Sequence, residues 1–493
     1  MPNILTYAQT MFDTFDARPF SRVDSLVLSS LAYVHMKGDV PRLHLPRFSG
    51  AAYAKPGKDE AALSDDTDNM APSHAGQSDR PSADAEARIE ARGNWFVRQG
   101  KKAAAWLKAL VHGSRSGTDG RGDGLAGPSY RGDAERFIPL ADVLRAEDYT
   151  EMFDDAGLDN EDLQLLRAVC ESPRYRGIQV GQYIQNQNSV NGEEQQFGAV
   201  TFLLPDGTEY IAFRGTEANI LGWKEDFEMT YHAVIPSQTE AYEYLEAVAA
   251  QSGRPLRVGG HSKGGNLAVY SSTLADPGIR QRIVAVYSHD GPGFQDSFFR
   301  NPGWAEIRGK EDKSCPEFTV VGQLLNPEAP YSVVKCSVSG IRQHYCMSWN
   351  VVDGDFEYAE STDPAAVSIN SSISQWLEKI PLDRRKLVVG SVYEAIRAGG
   401  YEDLNELSSD FSHAWPKIYT AVRNTDPRDR SVIFAIVRDL MGLLVPSMIG
   451  SLMSPLIPPA VPSALASLRG RNGADSGSGK SGSDKNADSP ERS

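Results

Sequence analysis

The run Arg257-Val258-Gly259-Gly260-His261-Ser262-Lys263-Gly264-Gly265-Asn266-Leu267-Ala268 sets a serine between glycines, as Gly-x-Ser-x-Gly at Gly260, Ser262 and Gly264. A short apolar stretch, Leu256 to Gly259, reads as a strand before it, and Asn266 to Leu274 has helical spacing after it. On a tight strand-to-helix turn of this kind a serine hydroxyl stands clear of the sheet and can act as a nucleophile. The turn strains the backbone, and glycines at the flanking positions avoid side-chain collisions. The amide of Lys263 and the N-terminus of the helix would then face negative charge developing on a carbonyl oxygen. The pattern alone also occurs as a structural Gly-rich turn. The strand and helix around it, the extra Gly259 and Gly265, and the small residues Asn266 and Ala268 favour the nucleophile. A second motif lies upstream, Ile211-Ala212-Phe213-Arg214-Gly215-Thr216 followed by Trp223 and Asp226. A strand ending in Arg-Gly-Thr offers an amide and a hydroxyl at the carboxyl edge of a sheet, where open α/β sheets hold ligands. Thr216 is therefore the candidate second oxyanion donor. The plainer alternative is a helix N-cap, with Arg214 and Asp226 as a structural pair.

These stretches, with Tyr287-Ser288-His289-Asp290-Gly291-Pro292-Gly293-Phe294, Val321-Gly322-Gln323-Leu324-Leu325, Gln343-His344 and Ser348-Trp349, resemble the class 3 lipases of the α/β-hydrolase superfamily. They look closer still to an uncharacterised bacterial domain family related to those lipases. The opening segment, with Phe20, Val23 and Asp24 ahead of Leu26 to Tyr33, shares the likeness, which covers roughly residues 1–45 and 137–360. By position, the resemblance implies that Ser262 is the nucleophile and that Thr216 helps to form the oxyanion hole.

A serine hydroxyl needs a base. In α/β-hydrolases the chain order is serine, acid, histidine. Of nine histidines, only His289, His344 and His413 lie beyond the elbow helix. His289 comes too early to follow an acid, and His413 falls in a helical stretch. His344 follows the strand-like run Tyr331 to Val338 in a loop with Gly340, and matches the family's Gln-His position, so it is the expected base. The acid is harder to assign. Class 3 lipases place an aspartate after the strand that here reads Phe318 to Val321, but this sequence continues Gly322-Gln323-Leu324-Leu325-Asn326. Asp290, at the end of the preceding apolar run Ile283 to Ser288, is the first choice. Glu328 is second, Asp353 a distant third, and a serine–histidine dyad without a carboxylate stays open.

The elements that must position these groups follow from the pattern. Phe197 to Leu204 and Glu209 to Phe213 flank Asp206-Gly207, a hairpin signal, and Thr239 to Ala250 is helical. Strands then alternate with helices, which predicts an α/β fold, α/β-hydrolase-like, with a mainly parallel sheet and flanking helices. A helical C-terminal region follows (Ile373 to Ile380, Leu387 to Ala398, Phe411 to Val422, Val432 to Leu444). At 493 residues the chain divides as follows. Residues 1–46 are the N-terminal part of the hydrolase domain, with a broad apolar stripe from Val23 to Val34, and 47–136 are a low-complexity insertion or linker. Residues 137–362 are the catalytic core, 363–468 the helical region, and 469–493 a disordered tail. Within the insertion, Ala85 to His112 carries Trp95, Phe96 and Trp106 among arginines and lysines. It reads as a helix packing on the core, or else as one docking on an anionic membrane. Residues from about Ile220 to Tyr231, with Ile220, Leu221, Trp223 and Phe227, form a candidate lid.

Acidic residues outnumber basic ones by 65 to 50, a formal net charge of −15, which argues against nucleic acid as a partner. No Cys-x-x-Cys, His-x-x-x-His or phosphate-loop spacing occurs, so no metal or cofactor is expected. Four cysteines in so long a chain suit a reducing, cytoplasmic setting. The apolar stretch Ser431 to Pro462 is broken by charges and prolines and does not read as a spanning helix. Peripheral membrane contact and the oligomeric state stay open. The reading is a serine hydrolase of a carboxylic ester or thioester, with a small-molecule or lipid ester as its partner. The alternative is an inactive scaffold used for binding or membrane association.

Overall fold

The computed structural model describes residues 1–36, 40–45, 132–153, 160–190, 193–216, 225–326, 329–401, 407 and 410–444. The basic stretch Ala85 to His112, nearly all of the 47–136 insertion, Ile220, Leu221 and Trp223 of the candidate lid, Glu328, the apolar stretch beyond Leu444 and the 469–493 tail lie outside the described residues.

Eight strands form one sheet in sequence order: β1 Phe137–Pro139, β2 Gln179–Val190, β3 Glu193–Leu203, β4 Glu209–Phe213, β5 Leu256–His261, β6 Ile283–His289, β7 Glu311–Pro316 and β8 Tyr331–Val334. From β1 to β4 the neighbours are antiparallel; helix Glu161–Glu171 lies in the connection from β1 to β2. From β4 to β8 every neighbour is parallel; helices lie in the connections from β4 to β7, and an irregular loop follows β7. At the β3–β4 turn, Gly207 takes φ 80° and the Asp206 carboxylate accepts from the Thr208 amide at 3.0 Å, as the Asp-Gly pair predicts.

Helices α1 Ile4–Thr10, α2 Arg22–Leu31 and α3 Glu161–Glu171 cover one face of the sheet; α4 Pro236–Gln251 and α5 Lys263–Leu274 cover the other. The period-two rule sorts the strands between them. Tyr210 and Ala212 of β4 face the core of α1–α3, and Ile211 and Phe213 face that of α4 and α5. C-terminal helices among the described residues include α6 Pro364–Lys379, α7 Leu382–Arg397, α8 Phe411–Arg423 and α9 Arg430–Leu444. This is an α/β fold, α/β-hydrolase-like, with a mainly parallel sheet, flanking helices and a helical C-terminal region.

Two elements depart from the sequence reading. Phe318 to Val321 is irregular, and the strand preceding it is β7, whose sequence Glu311-Asp312-Lys313-Ser314-Cys315-Pro316 lacks an apolar run. It is a strand because β6 and β8 pair with it on both sides, a tertiary cause that propensity does not register. Helix α2, read as an amphipathic stripe, is buried on every side from Val23 to Leu31. Its polar residues are satisfied internally. The Asp24 carboxylate caps the helix through the Ser21 amide (2.8 Å) and accepts from Arg174 Nη2 at 2.6 Å and Tyr175 at 2.7 Å. No helix among the described residues is long and apolar enough to cross a membrane.

Candidate active site

Strand β5 ends at His261, and Ser262 follows at φ 58°, ψ −134°, a strained conformation for a residue with a side chain. The two motif glycines make it possible. A Cβ on Gly264 would lie 2.1 Å from the Phe213 carbonyl oxygen, and one on Gly260 would lie 2.3 Å from the Gly264 carbonyl carbon. The Ser262 amide donates to the His289 carbonyl at the end of β6 (2.9 Å), so the turn is pinned across the sheet. The Arg-Gly-Thr end of β4 packs directly on the serine, since a Cβ on Gly215 would meet Ser262 Cβ at 3.0 Å.

Asp290 leaves β6 at φ 49° and is almost wholly buried. Its carboxylate accepts from His344 Nδ1 at 2.6 Å and from Thr319 Oγ1 at 2.5 Å. Burial disfavours its charge, but the bonds and charge of His344 and the Thr319 hydroxyl outweigh that, and its pKa falls below the ordinary aspartate value. An ionised Asp290 can only accept, so the proton of a neutral His344 sits on Nδ1 and Nε2 is left with its lone pair. Thr319 lies in the irregular loop after β7, where lipase-like order would put the acid. That loop supplies a hydroxyl to Asp290 instead. It is steadied by α6, whose Asn370 donates to the Thr319 carbonyl at 2.9 Å.

His344 ends the short 3₁₀ segment Gly340–His344. Its neighbour Gln343 clamps that segment, accepting from the Phe318 amide (2.7 Å) and donating to the Val338 carbonyl (3.0 Å), while Trp349 Nε1 holds the Gln343 carbonyl at 2.9 Å. The His344 carbonyl accepts from His261 Nε2 at 2.8 Å. A carbonyl only accepts, so His261 carries its proton on Nε2, and its Nδ1 accepts from the Tyr33 hydroxyl at 3.1 Å. Burial, and then the proximity of His344, drive the His261 pKa down to about 3, which keeps the ring neutral. The two imidazoles lie 4.7 Å apart, centroid to centroid. Ser262 thus stands next in sequence to the ring packed on His344, with no hydrogen bond between Ser262 Oγ and His344 among the described residues. Catalytic contacts of this kind are often loose without substrate.

Thr216 Oγ1 donates to both carboxylate oxygens of Asp226, at 2.9 and 3.1 Å. Burial raises the Asp226 pKa to about 6 against the pull of Lys263 and Thr216. Lys263, singled out in the sequence for its amide, also has a buried side chain, paired with Glu225 at 2.7 Å. The other candidates separate from the site. His289 is buried, bonded through Nε2 to Ser25 Oγ (2.9 Å) and stacked on Tyr287. His413 is on the exposed side of α8 with Asp410 as its partner. Asp353 occupies an exposed turn between two short strands. Sequence reasoning missed Tyr33, His261, Thr319 and Glu225. Only His261 carried any signal, its place beside Ser262. Among the described residues no cluster of His, Cys, Asp and Glu is arranged to hold a metal ion.

The fold is α/β-hydrolase-like, and Ser262 occupies a strained strand-to-helix turn between glycines. Residues 169–394, which contain Ser262, Asp290 and His344, match a family model described as Mbeg1-like. Among solved structures the chain is similar to the Rhizomucor miehei lipase propeptide complex, with 16% identity over 38% of this chain and 63% of that one and a TM-score of 0.26. A deletion mutant of that complex gives 17% identity over 59% and 89%, with a TM-score of 0.29. A triacylglycerol lipase whose catalytic centre is described as a serine protease triad gives 18% over 38% and 76%, with a TM-score of 0.24. The chain thus spans less than two thirds of the length of the first of these structures. No curated protein sequence matches it.

Proposed function

We propose that the protein is a serine hydrolase that cleaves a carboxylic ester or thioester through an acyl-enzyme on Ser262. The observation that carries this reading is the 2.6 Å hydrogen bond between His344 Nδ1 and the buried Asp290 carboxylate, beside a serine on a strained turn. In the first half-reaction His344 Nε2 takes the Ser262 proton as Oγ attacks the carbonyl carbon. The tetrahedral oxyanion is held by the amides of Lys263, at the N-terminus of α5, and of Thr216. On its collapse, His344 returns the proton to the departing alcohol or thiol. Water then attacks the acyl-enzyme with His344 again as base, releasing the acid. Asp290 stays ionised throughout, fixing the tautomer and stabilising the imidazolium. A small-molecule or lipid ester is the partner this chemistry requires.

The second reading, a scaffold without turnover, has one observation in its favour, namely that Ser262 Oγ and His344 are not hydrogen-bonded. Labelling with a fluorophosphonate separates the two. The hydrolase reading expects the native protein to label and Ser262→Ala to stay unlabelled, with aryl-ester turnover in the same variant lower by about 10⁴-fold or more. Folded native protein that neither labels nor turns over any short-chain ester or thioester would leave the scaffold.

A further inference from the structure

We infer that the buried Lys263–Glu225 pair positions both oxyanion donors, an inference that rests on the acyl-transfer reading above. Lysine is almost never fully buried unless paired, yet at the first position of α5 the Lys263 side chain has no exposed surface. Its Nζ donates to the Gln196 carbonyl on β3 at 2.9 Å and to Glu225 Oε2 at 2.7 Å. From the other side, Ser237 in the first turn of α4 grips Glu225 Oε1 through Oγ (2.5 Å) and its amide (3.3 Å). The next residue, Asp226, takes both hydrogen bonds from the Thr216 hydroxyl. The two residues whose amides face the oxyanion are therefore tied, through their own side chains, to the consecutive residues Glu225 and Asp226. Lys263 fixes Glu225 against β3 and α4, Glu225 fixes its neighbour Asp226, and Asp226 fixes Thr216. Displacement at any point of this chain changes the separation of the two amides.

Stability alone does not require the pair. Apolar residues of similar volume often replace a buried ion pair at no loss in stability. What they cannot supply is a fixed length and direction. Glu225 and the Lys263 side chain are positioning residues in this sense, because neither side chain meets the reacting atoms.

The test is steady-state kinetics of the full chain on a soluble aryl ester, with thermal unfolding in parallel. Lys263→Met combined with Glu225→Leu is expected to lower kcat by about 10- to 100-fold, with KM within about 2-fold and the melting temperature little changed. A folded double variant with native kcat overturns the inference. Should that variant fail to fold, Glu225→Asp keeps the charge and shortens the arm by one methylene. A lower kcat at native KM is expected, and native kcat there overturns the inference as well. Wild-type protein that neither labels nor turns over overturns the acyl-transfer reading itself, a result distinct from either variant's behaviour.

Discussion

Ser262 is held largely by its own strand, turn and helix and by the strand end at Phe213, whereas His344 is held by groups far along the chain, His261 lying 83 positions away and Asp290 54. On the nucleophile side the constraint is steric: a Cβ on Gly260 would strike Gly264, four residues on, at 2.3 Å, and one on Gly264 would strike the end of β4 at Phe213 at 2.1 Å. On the acid–base side it is electrostatic and is assembled from the end of β6, the loop after β7 and the 3₁₀ segment. A locally built group tolerates no change of shape. A group built from distant segments tolerates changes of shape but not the loss of a hydrogen bond. Substitutions on the two sides should therefore fail in different ways.

The largest effect is expected on the acid–base side without loss of fold. Asp290→Asn is nearly isosteric but offers His344 Nδ1 an amide in place of a carboxylate, so the ring no longer has a fixed tautomer. Turnover of an aryl ester should fall by about 10⁴-fold while near-ultraviolet circular dichroism stays native. Retention of native kcat would assign the acid elsewhere. On the nucleophile side, Gly264→Ala should act through structure. Its Cβ meets the Phe213 carbonyl, so the turn must shift, and unfolding in urea should show a loss of about 1–3 kcal/mol together with slower fluorophosphonate labelling. Native stability in that variant would remove the steric half of the comparison. Thr319→Val tests the outermost bond on the acid. It deletes a donor to Asp290 and leaves the His344 bond, so about a 10-fold loss in kcat is expected, with the acid limb of the pH–rate profile displaced upward because the carboxylate loses a stabilising partner.

The same contrast explains what could be read from the sequence. The elbow was legible because its cause is local: Gly260, Ser262 and Gly264 are neighbours, and strand, turn and helix each follow from adjacent residues. The hairpin at Asp206-Gly207 and the C-terminal helices α6 to α9 were legible for the same reason, since periodicity and turn chemistry suffice. His344 and Asp290 could be named only by order along the chain and by likeness, and their contact became visible only with the fold. Thr319 carried no signal at all. Its loop was read as a strand, while the real strand, Glu311–Pro316, carries charged residues that only pairing on both sides makes strand-like. The buried partners of Asp24 and Ser25 on α2 were invisible for a related reason. A polar residue on an apolar helix reads as solvent-facing until its partners, Arg174 for one and His289 for the other, arrive from elsewhere in the chain.

The smallest effect near neutral pH concerns histidines that do not react. His289 has a pKa lowered to about 3, chiefly by burial and then by the proximity of His261 and Arg22, and His261 is depressed similarly. An unfolded histidine binds a proton below about pH 6.5. The folded one does so only near pH 3, so the unfolded state binds more protons between these values and stability rises with pH across that window. The contribution is complete above about pH 6.5 and is lost as pH falls toward 3, at up to about 1.4 kcal/mol per pH unit for each ring. Buried carboxyls such as Glu311, raised to about 7 by burial, act in the opposite direction, so the total slope mixes both signs. The difference between variants isolates the ring. In His289→Gln the new amide can still meet Ser25 and has no proton to gain. Nδ1, which has no hydrogen-bond partner among the described residues, loses nothing. The variant should be less stable than native protein at pH 8, and the gap should close steadily below pH 6.5 in urea titrations. A gap that stays constant from pH 8 to pH 4 would mean that His289 is protonated in the folded state as readily as in the unfolded one, and the neutral ring behind the elbow would have to be abandoned.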